Sequence, residues 1–78
     1  MRKASKEIRD ILSNNIKNFR KKLNLSQEEF AYKCDLHRTY IGAVERGERN
    51  VTLSSLERIA TALNIDVPSL LSAQKEEN

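Results

Sequence analysis

Apolar residues recur every three or four positions along almost the whole chain, the mark of amphipathic helices that each bury one stripe. The first stripe, Ile8, Ile11/Leu12, Ile16, Phe19 and Leu23, predicts a helix from about Ser5 to Lys22. Asn24 interrupts it, and asparagine tolerates the left-handed backbone that ends helices. Ser26-Gln27-Glu28-Glu29 has the spacing of a capping box, with Leu25 and Phe30 placed as a hydrophobic staple. The second helix is short, ends near Lys33 or Cys34, and turns Phe30, Ala31 and Cys34 inward. Cys34-Asp35-Leu36 is a break in which Asp35 can take the left-handed conformation. A third helix is expected from His37 or Arg38 to about Arg46, with Ile41 and Val44 inward, Leu36 packing before its start, Tyr40 along its edge and Gly47 as its stop. Histidine is a poor capping residue at position 37.

After the loop Glu48-Arg49-Asn50-Val51, Thr52 caps a fourth helix, Leu53 to Leu63, with Leu53, Leu56, Ile59/Ala60 and Leu63 on one face. Asn64 ends it and Ile65 continues the core. Pro68, at the first helical position, opens a fifth helix through about Ser72 or Ala73. Gln74 to Asn78 has nothing to bury and is expected to fray. The pattern therefore predicts an all-α fold: five helices in a single domain over residues 1–78, its core spanning about 7–73. Two short helices joined by a tight turn, about 26–46, form a helix-turn-helix.

Composition narrows the function. With 78 residues, one core supplies only about 3–5 kcal/mol, so a partner is expected to help stabilise it. One Cys and one His make neither a disulfide nor a zinc site of the usual kind. No apolar run reaches the ~18 residues of a membrane span, and no apolar segment follows the basic N-terminus, so a cytoplasmic protein is expected. The net charge of +3 is unevenly spread. Residues 1–22 hold eight Lys/Arg against Glu7 and Asp10, whereas residues 23–36 and 51–78 are each acidic by two charges. A basic end suggests an anionic partner; a solvated surface is the bland alternative. Without a metal-ligand cluster, a nucleophile–base pair or a glycine-rich phosphate loop, the chain is not expected to be an enzyme or to hold a cofactor.

Gln27-Glu28-Glu29-Phe30-Ala31, Leu36-His37-Arg38-Thr39-Tyr40-Ile41, Val44-Glu45-Arg46-Gly47, Leu53 and Leu56 resemble the lambda-repressor-like, phage-repressor/Cro class of helix-turn-helix domains, the XRE-type family. Leu36 to Ile41 followed by Glu45-Arg46-Gly47-Glu48-Arg49-Asn50 most resembles the controller proteins of restriction–modification systems. The resemblance covers about residues 12–72. It implies a compact five-helix domain that regulates transcription by binding a pseudo-palindromic operator as a homodimer.

The resemblance also implies roles. The third helix would enter the major groove with Arg38 and Thr39 leading and Ala43 and Arg46 one turn on. Arg38 can bond guanine O6 and N7 together; Thr39 can bond a base edge or meet a thymine methyl. Gly42 and Ala43, with little side chain, let the helix sit deep. Gln27, Thr52 and Ser55, with Ser54 beside it, stand at helix starts, where free N–H groups favour phosphate. Tyr40, Arg49 and Asn50 would lie against the DNA backbone. His37 is a phosphate candidate when protonated. Arg20 and Glu45 would form a structural salt bridge. Each residue has a plainer reading as a capping, packing or solvated side chain, and Cys34 reads as a small buried apolar residue.

Ile65, Val67, Leu70 and Leu71, with the outer face of the fourth helix, are the candidate dimer interface, although Leu70 or Leu71 can instead pack internally. No effector domain is evident, so no small-molecule effector is expected. Control through concentration, cooperative binding or contact with RNA polymerase follows from the resemblance, with Glu28, Glu29 and Glu57 as an acidic patch for that contact. An antitoxin-like or other protein-interaction module sharing the fold is the alternative; the polar, cationic third helix argues for DNA.

Overall fold

The computed structural model describes residues 5–74. They form five helices: α1 (Lys6–Lys22), α2 (Gln27–Cys34), α3 (Arg38–Glu45), α4 (Leu53–Leu63) and α5 (Val67–Leu70). There is no strand among the described residues. Each helix starts where a side chain satisfies an otherwise free N–H: Ser5, Ser26, His37, Thr52 and Asp66 all cap. At Ser26 the cap is reciprocal. Its Oγ accepts from the Glu29 N–H at 3.0 Å, and its own N–H donates to Glu29 Oε1 at 2.9 Å.

Three helix ends turn through non-glycine residues in the left-handed region, Asn24, Asp35 and Asn64, and Gly47 has φ +73°. Asp35 is the turn between α2 and α3. Arg58, on α4, secures it by donating from Nη1 to the Asp35 carbonyl at 3.1 Å. This clamp offsets some of the cost of holding a residue with a Cβ there.

The buried core runs from Leu12 to Leu70 and takes at least one residue from every helix; Ile16, Phe30, Ile41, Ile59 and Leu70 are fully enclosed. Phe30, Ala31 and Cys34 point inward on α2, as do Ile41 and Val44 on α3. Leu25, Leu36 and Tyr40 pack against the same core.

Several expectations need correction. Leu23 is 46% exposed: it is the C-cap of α1, and the reversal at Asn24 turns Leu25 inward in its place. Leu53 is 79% exposed, because the first residue of α4 lies at the rim of an arc centred on Leu56, Ile59 and Leu63. His37 does cap α3: its Nδ1 accepts from the Thr39 N–H at 3.1 Å. Helix α5 begins one residue before Pro68 and stops at Leu70, short of Ser72. Gln74 is tied back, its Nε2 donating to the carbonyls of Ser69 and Ser72 at 3.0 Å each. The expectation for residues 75–78 lies outside the described residues.

Leu70 is removed from the candidate dimer interface. It is 0% exposed within one chain, so its side chain is spent on that chain's own core. Asn15 explains part of this. It sits on the apolar stripe of α1 and donates from Nδ2 to the carbonyls of Leu70 at 2.8 Å and Ser72 at 2.7 Å. A buried amide with both donors satisfied pins α5 to α1.

A further buried polar contact is ionic. Arg20 Nε lies 2.6 Å from Glu45 Oε2 and Nη2 lies 2.9 Å from Glu45 Oε1, a bidentate pair joining α1 to α3. Arg20 Nη1 also donates to the Leu25 carbonyl at 2.8 Å, and Gln27 Nε2 donates to Glu45 Oε1 at 3.1 Å. Burial by itself pushes the Glu45 carboxyl up. The hydrogen bonds from Arg20 and Gln27, with the charges of Arg20 and Lys17, outweigh burial and hold it below its ordinary value.

Glu45→Ala is expected to cost about 3–5 kcal/mol by leaving the Arg20 guanidinium buried and unpaired, measured by urea denaturation. The depressed Glu45 carboxyl stabilises the fold above its ordinary value near 4.5. That contribution is lost as pH falls through the lower folded value. Melting temperature followed from pH 6 to pH 3 therefore drops for the wild type. The drop is shallower for Glu45→Gln.

Candidate nucleic-acid interface

The N-terminal turn of α2 faces α3 across an open groove lined by Ser26, Gln27, Glu28, Arg38, Thr39, Gly42 and Arg46. Four of the sequence-derived candidates, Gln27, Arg38, Thr39 and Arg46, thus share one surface. Arg38 is the first residue of α3, and its guanidinium is mostly exposed, with Nη1 3.9 Å from Glu28 Oε2. Arg46 caps the far end of α3; its Nε donates to Glu48 Oε2 at 3.0 Å. Both pairs are exposed, and pairs of that kind are worth about 0–1 kcal/mol. The two arginines are therefore held loosely and can exchange a carboxylate for another anion.

Gly42 lies at the floor of the groove, buried. A Cβ there would stand 3.2 Å from Arg46 Nη1 and 3.7 Å from Gln27 Oε1. The missing side chain is what lets the arginine and the amide close over the middle of α3. Because Gln27 Nε2 is bonded to Glu45, its side chain is braced by the buried pair while its backbone N–H opens α2. The same carboxylate thus anchors the scaffold and one wall of the groove.

The remaining candidates are placed apart from this groove. Arg49 stands over the ring of Tyr40, 5.1 Å from its centroid, a cation–π contact that joins the loop to the outer edge of α3. Ala43 is half-buried and Asn50 exposed; neither lines the groove. Thr52 and Ser55 satisfy each other at the start of α4. Thr52 Oγ1 accepts from the Ser55 N–H and donates to its hydroxyl, both at 3.1 Å.

The two supports of this site that sequence reasoning missed are the Gln27–Glu45 bond and the Arg58 clamp. The first joins residues 18 apart, the second residues 23 apart. No local pattern carries either. Asn15 did leave a signal: it interrupts an otherwise apolar stripe.

Among the described residues no cluster of His, Cys, Asp and Glu is able to hold a metal ion, and no helix is long and apolar enough to cross a membrane. The Cys34 thiol is buried, and burial pushes its pKa up to about 11 against the opposing charge of Lys33.

A capped short helix, a left-handed turn and a second short helix with exposed arginines, braced on a longer helix, define a helix-turn-helix domain of the DNA-binding transcriptional regulators. The chain belongs to the helix-turn-helix family, whose profile matches residues 16–70. It is 54% identical over 72 residues to control protein C.SmaI of Serratia marcescens, covering 92% of this chain and 86% of the relative. A hypothetical transcription factor from Neisseria superposes with a TM-score of 0.83 at 38% identity, over 94% of this chain and 85% of its own. The restriction-modification controller protein C.Esp1396I, solved as a tetramer with its natural 35 base-pair operator, superposes with a TM-score of 0.74 at 38% identity, over 81% of this chain and 83% of its own. The XRE-type resemblance, the all-helical fold and the controller-like character read from the sequence agree with these relatives.

With its pKa near 11, Cys34 is expected to alkylate about 100-fold more slowly than a free cysteine at pH 7.5. Unfolding in urea removes the protection, and labelling followed by mass spectrometry measures both rates.

Proposed function

We propose that the protein is a restriction–modification controller: a cytoplasmic transcriptional regulator that binds a pseudo-palindromic operator as a homodimer, without catalysis or a small-molecule effector. The observation that carries this reading is the groove that gathers Gln27, Arg38, Thr39 and Arg46 along the exposed face of α3. The similarity to a control protein and to an operator-bound controller supports it. In this reading residues 1–78 act as one domain, and α3 lies in the major groove with Arg38 reading guanine and Thr39 a neighbouring base. The backbone N–H at Gln27 and the N-terminal turn of α4 at Thr52 and Ser55 face phosphates. Tyr40, Arg49 and Asn50 lie against the DNA backbone, and Ala43 faces the DNA major groove. Arg20 and Glu45 hold the reader in place rather than touch DNA.

Dimerisation is assigned to Ile65, Val67 and Leu71, which pack against the core without being fully covered by one chain. A two-fold dimer of such units places two copies of α3 about 34 Å apart, one turn of the duplex. RNA polymerase is the proposed protein partner. The face offered to it carries Glu28 and Glu29 beside Tyr32, which is 89% exposed. Glu57 lies on the adjoining surface with Arg58 and Thr61, and Lys33 lines both.

Selection of random duplexes on the purified protein tests the reading and is expected to enrich a two-fold symmetric site. On that site Arg38→Ala is expected to lose about 1–3 kcal/mol and to relax specificity at one base pair of each half. Weak, steeply salt-dependent binding with no enriched sequence would reduce the groove to backbone affinity. Separately, Leu71→Glu is expected to shift the protein from dimer to monomer in analytical ultracentrifugation. A sedimentation profile identical to the wild type would remove Leu71 from the interface.

A further inference from the structure

We infer that Gly42 is a positioning residue for DNA binding: its missing Cβ is a seat that lets the Arg46 guanidinium lie low over α3 while the helix approaches DNA. The inference rests on the reading of α3 as the major-groove helix and extends it to a residue that acts only through its neighbour.

The backbone does not ask for glycine at this position. Of the chain's two glycines, only Gly47 has a positive φ. Gly42 lies in the interior of α3, where glycine is a markedly poorer helix former than alanine. The core does not ask for it either. Outside its chain neighbours and the backbone of α3, a Cβ here meets only the ends of two long side chains among the described residues. They are Arg46 Nη1 at 3.2 Å and Gln27 Oε1 at 3.7 Å. The second distance is ordinary van der Waals contact, and the first is too close. The fold leaves the glycine unexplained, and Arg46 explains it.

Helical side chains lean toward the N-terminus, so a long one covers the residue a turn before it. Arg46 accordingly lies back over Gly42, with its Nε on Glu48 Oε2 at 3.0 Å and its Nη1 above the missing Cβ. Gly42 is buried although it has no side chain, and it shares the groove with Gln27 and Arg46. Gln27 is braced there, since its Nε2 donates to the buried Glu45. With alanine at position 42, it is therefore the arginine head that has to rise. In the free protein it rises into water at little cost. Against DNA the same space is taken, so the head either leaves its contact or holds the helix off. The cost of a Cβ thus falls on binding and not on folding.

The test is a double-mutant cycle on the selected operator. Gly42→Ala, Arg46→Ala and the double variant are each measured for affinity and for thermal melting by circular dichroism. Gly42→Ala is expected to melt about 4 °C above the wild type, the size of a glycine-to-alanine change inside a helix. The same variant is expected to bind the operator about fivefold more weakly, within the coupling range of residues in contact. Arg46→Ala is expected to weaken binding about tenfold. In the double variant the loss due to Gly42→Ala disappears: it binds like Arg46→Ala alone and keeps the higher melting temperature.

A melting temperature lowered by Gly42→Ala overturns the inference, because the glycine then serves the fold. A loss of affinity that persists undiminished in the Arg46→Ala background overturns it as well, because the Cβ then meets the DNA itself. So does wild-type affinity in Arg46→Ala, which leaves the seat without a use. If the wild type selects no sequence at all, the operator-binding reading falls and this inference with it. A selected operator bound equally by the wild type and Gly42→Ala sinks the inference alone.

Discussion

The buried Arg20–Glu45 pair is the contact on which the reading surface depends. Glu45 closes α3 and Arg20 stands in the last turn of α1, so the fork-to-fork bond sets the angle between the scaffold and the helix that carries the arginines. Arg20 also donates to the Leu25 carbonyl, and Glu45 accepts from Gln27 at the first position of α2. One ion pair thereby joins α1, α2, α3 and the turn at Asn24. Such a pair contributes less to net stability than its Coulomb energy suggests, because both ions leave water. What it supplies is geometry: a bidentate bond admits one orientation where an apolar contact admits several.

Around that bond the remaining polar interactions divide by depth. Two buried side chains are heavily bonded: Asn15 ties α5 to α1 through two carbonyls, and Glu45 accepts three hydrogen bonds; the buried Arg9 Nε, by contrast, has no hydrogen-bond partner. The exposed ones are loose, with Arg38 near Glu28 and Arg46 on Glu48. The division suits a DNA reader, in which the frame must not move and the reading side chains must. Neighbouring carboxylates also keep the arginines from acting as bare cations, which tempers attraction to any polyanion and leaves more of the binding to shape and base edges.

The αL turn shows the same economy at the level of the backbone. Asp35 stands where glycine would be freer, and the conformation is held by Arg58 from α4 through the Asp35 carbonyl. The turn between the two short helices is thus a tertiary feature as much as a local one. Tyr40 and Arg49 act similarly for the loop after α3, whose course is tied to the outer edge of that helix by a ring contact.

Element existence and most element bounds were legible in the sequence because their causes are local. Apolar spacing sets the buried arc. Ser26, Glu29 and Thr52 sit within three residues of the N–H groups they satisfy, and Asn24, Asp35 and Asn64 stop helices through their own backbone. The residues of the candidate interface were legible through their likeness to a family, and four of them do share a groove. What the chain alone left open was whatever depends on where helices end relative to one another. Leu23 and Leu53 continue their stripes in sequence yet fall outside, because the core ends before they do; Leu70 looks available to a partner yet is sealed by its own chain. Only the packed structure brings Gln27 to Glu45 and Arg58 to Asp35. Side chains far apart in the chain meet through helix crossing angles, and no periodicity encodes those.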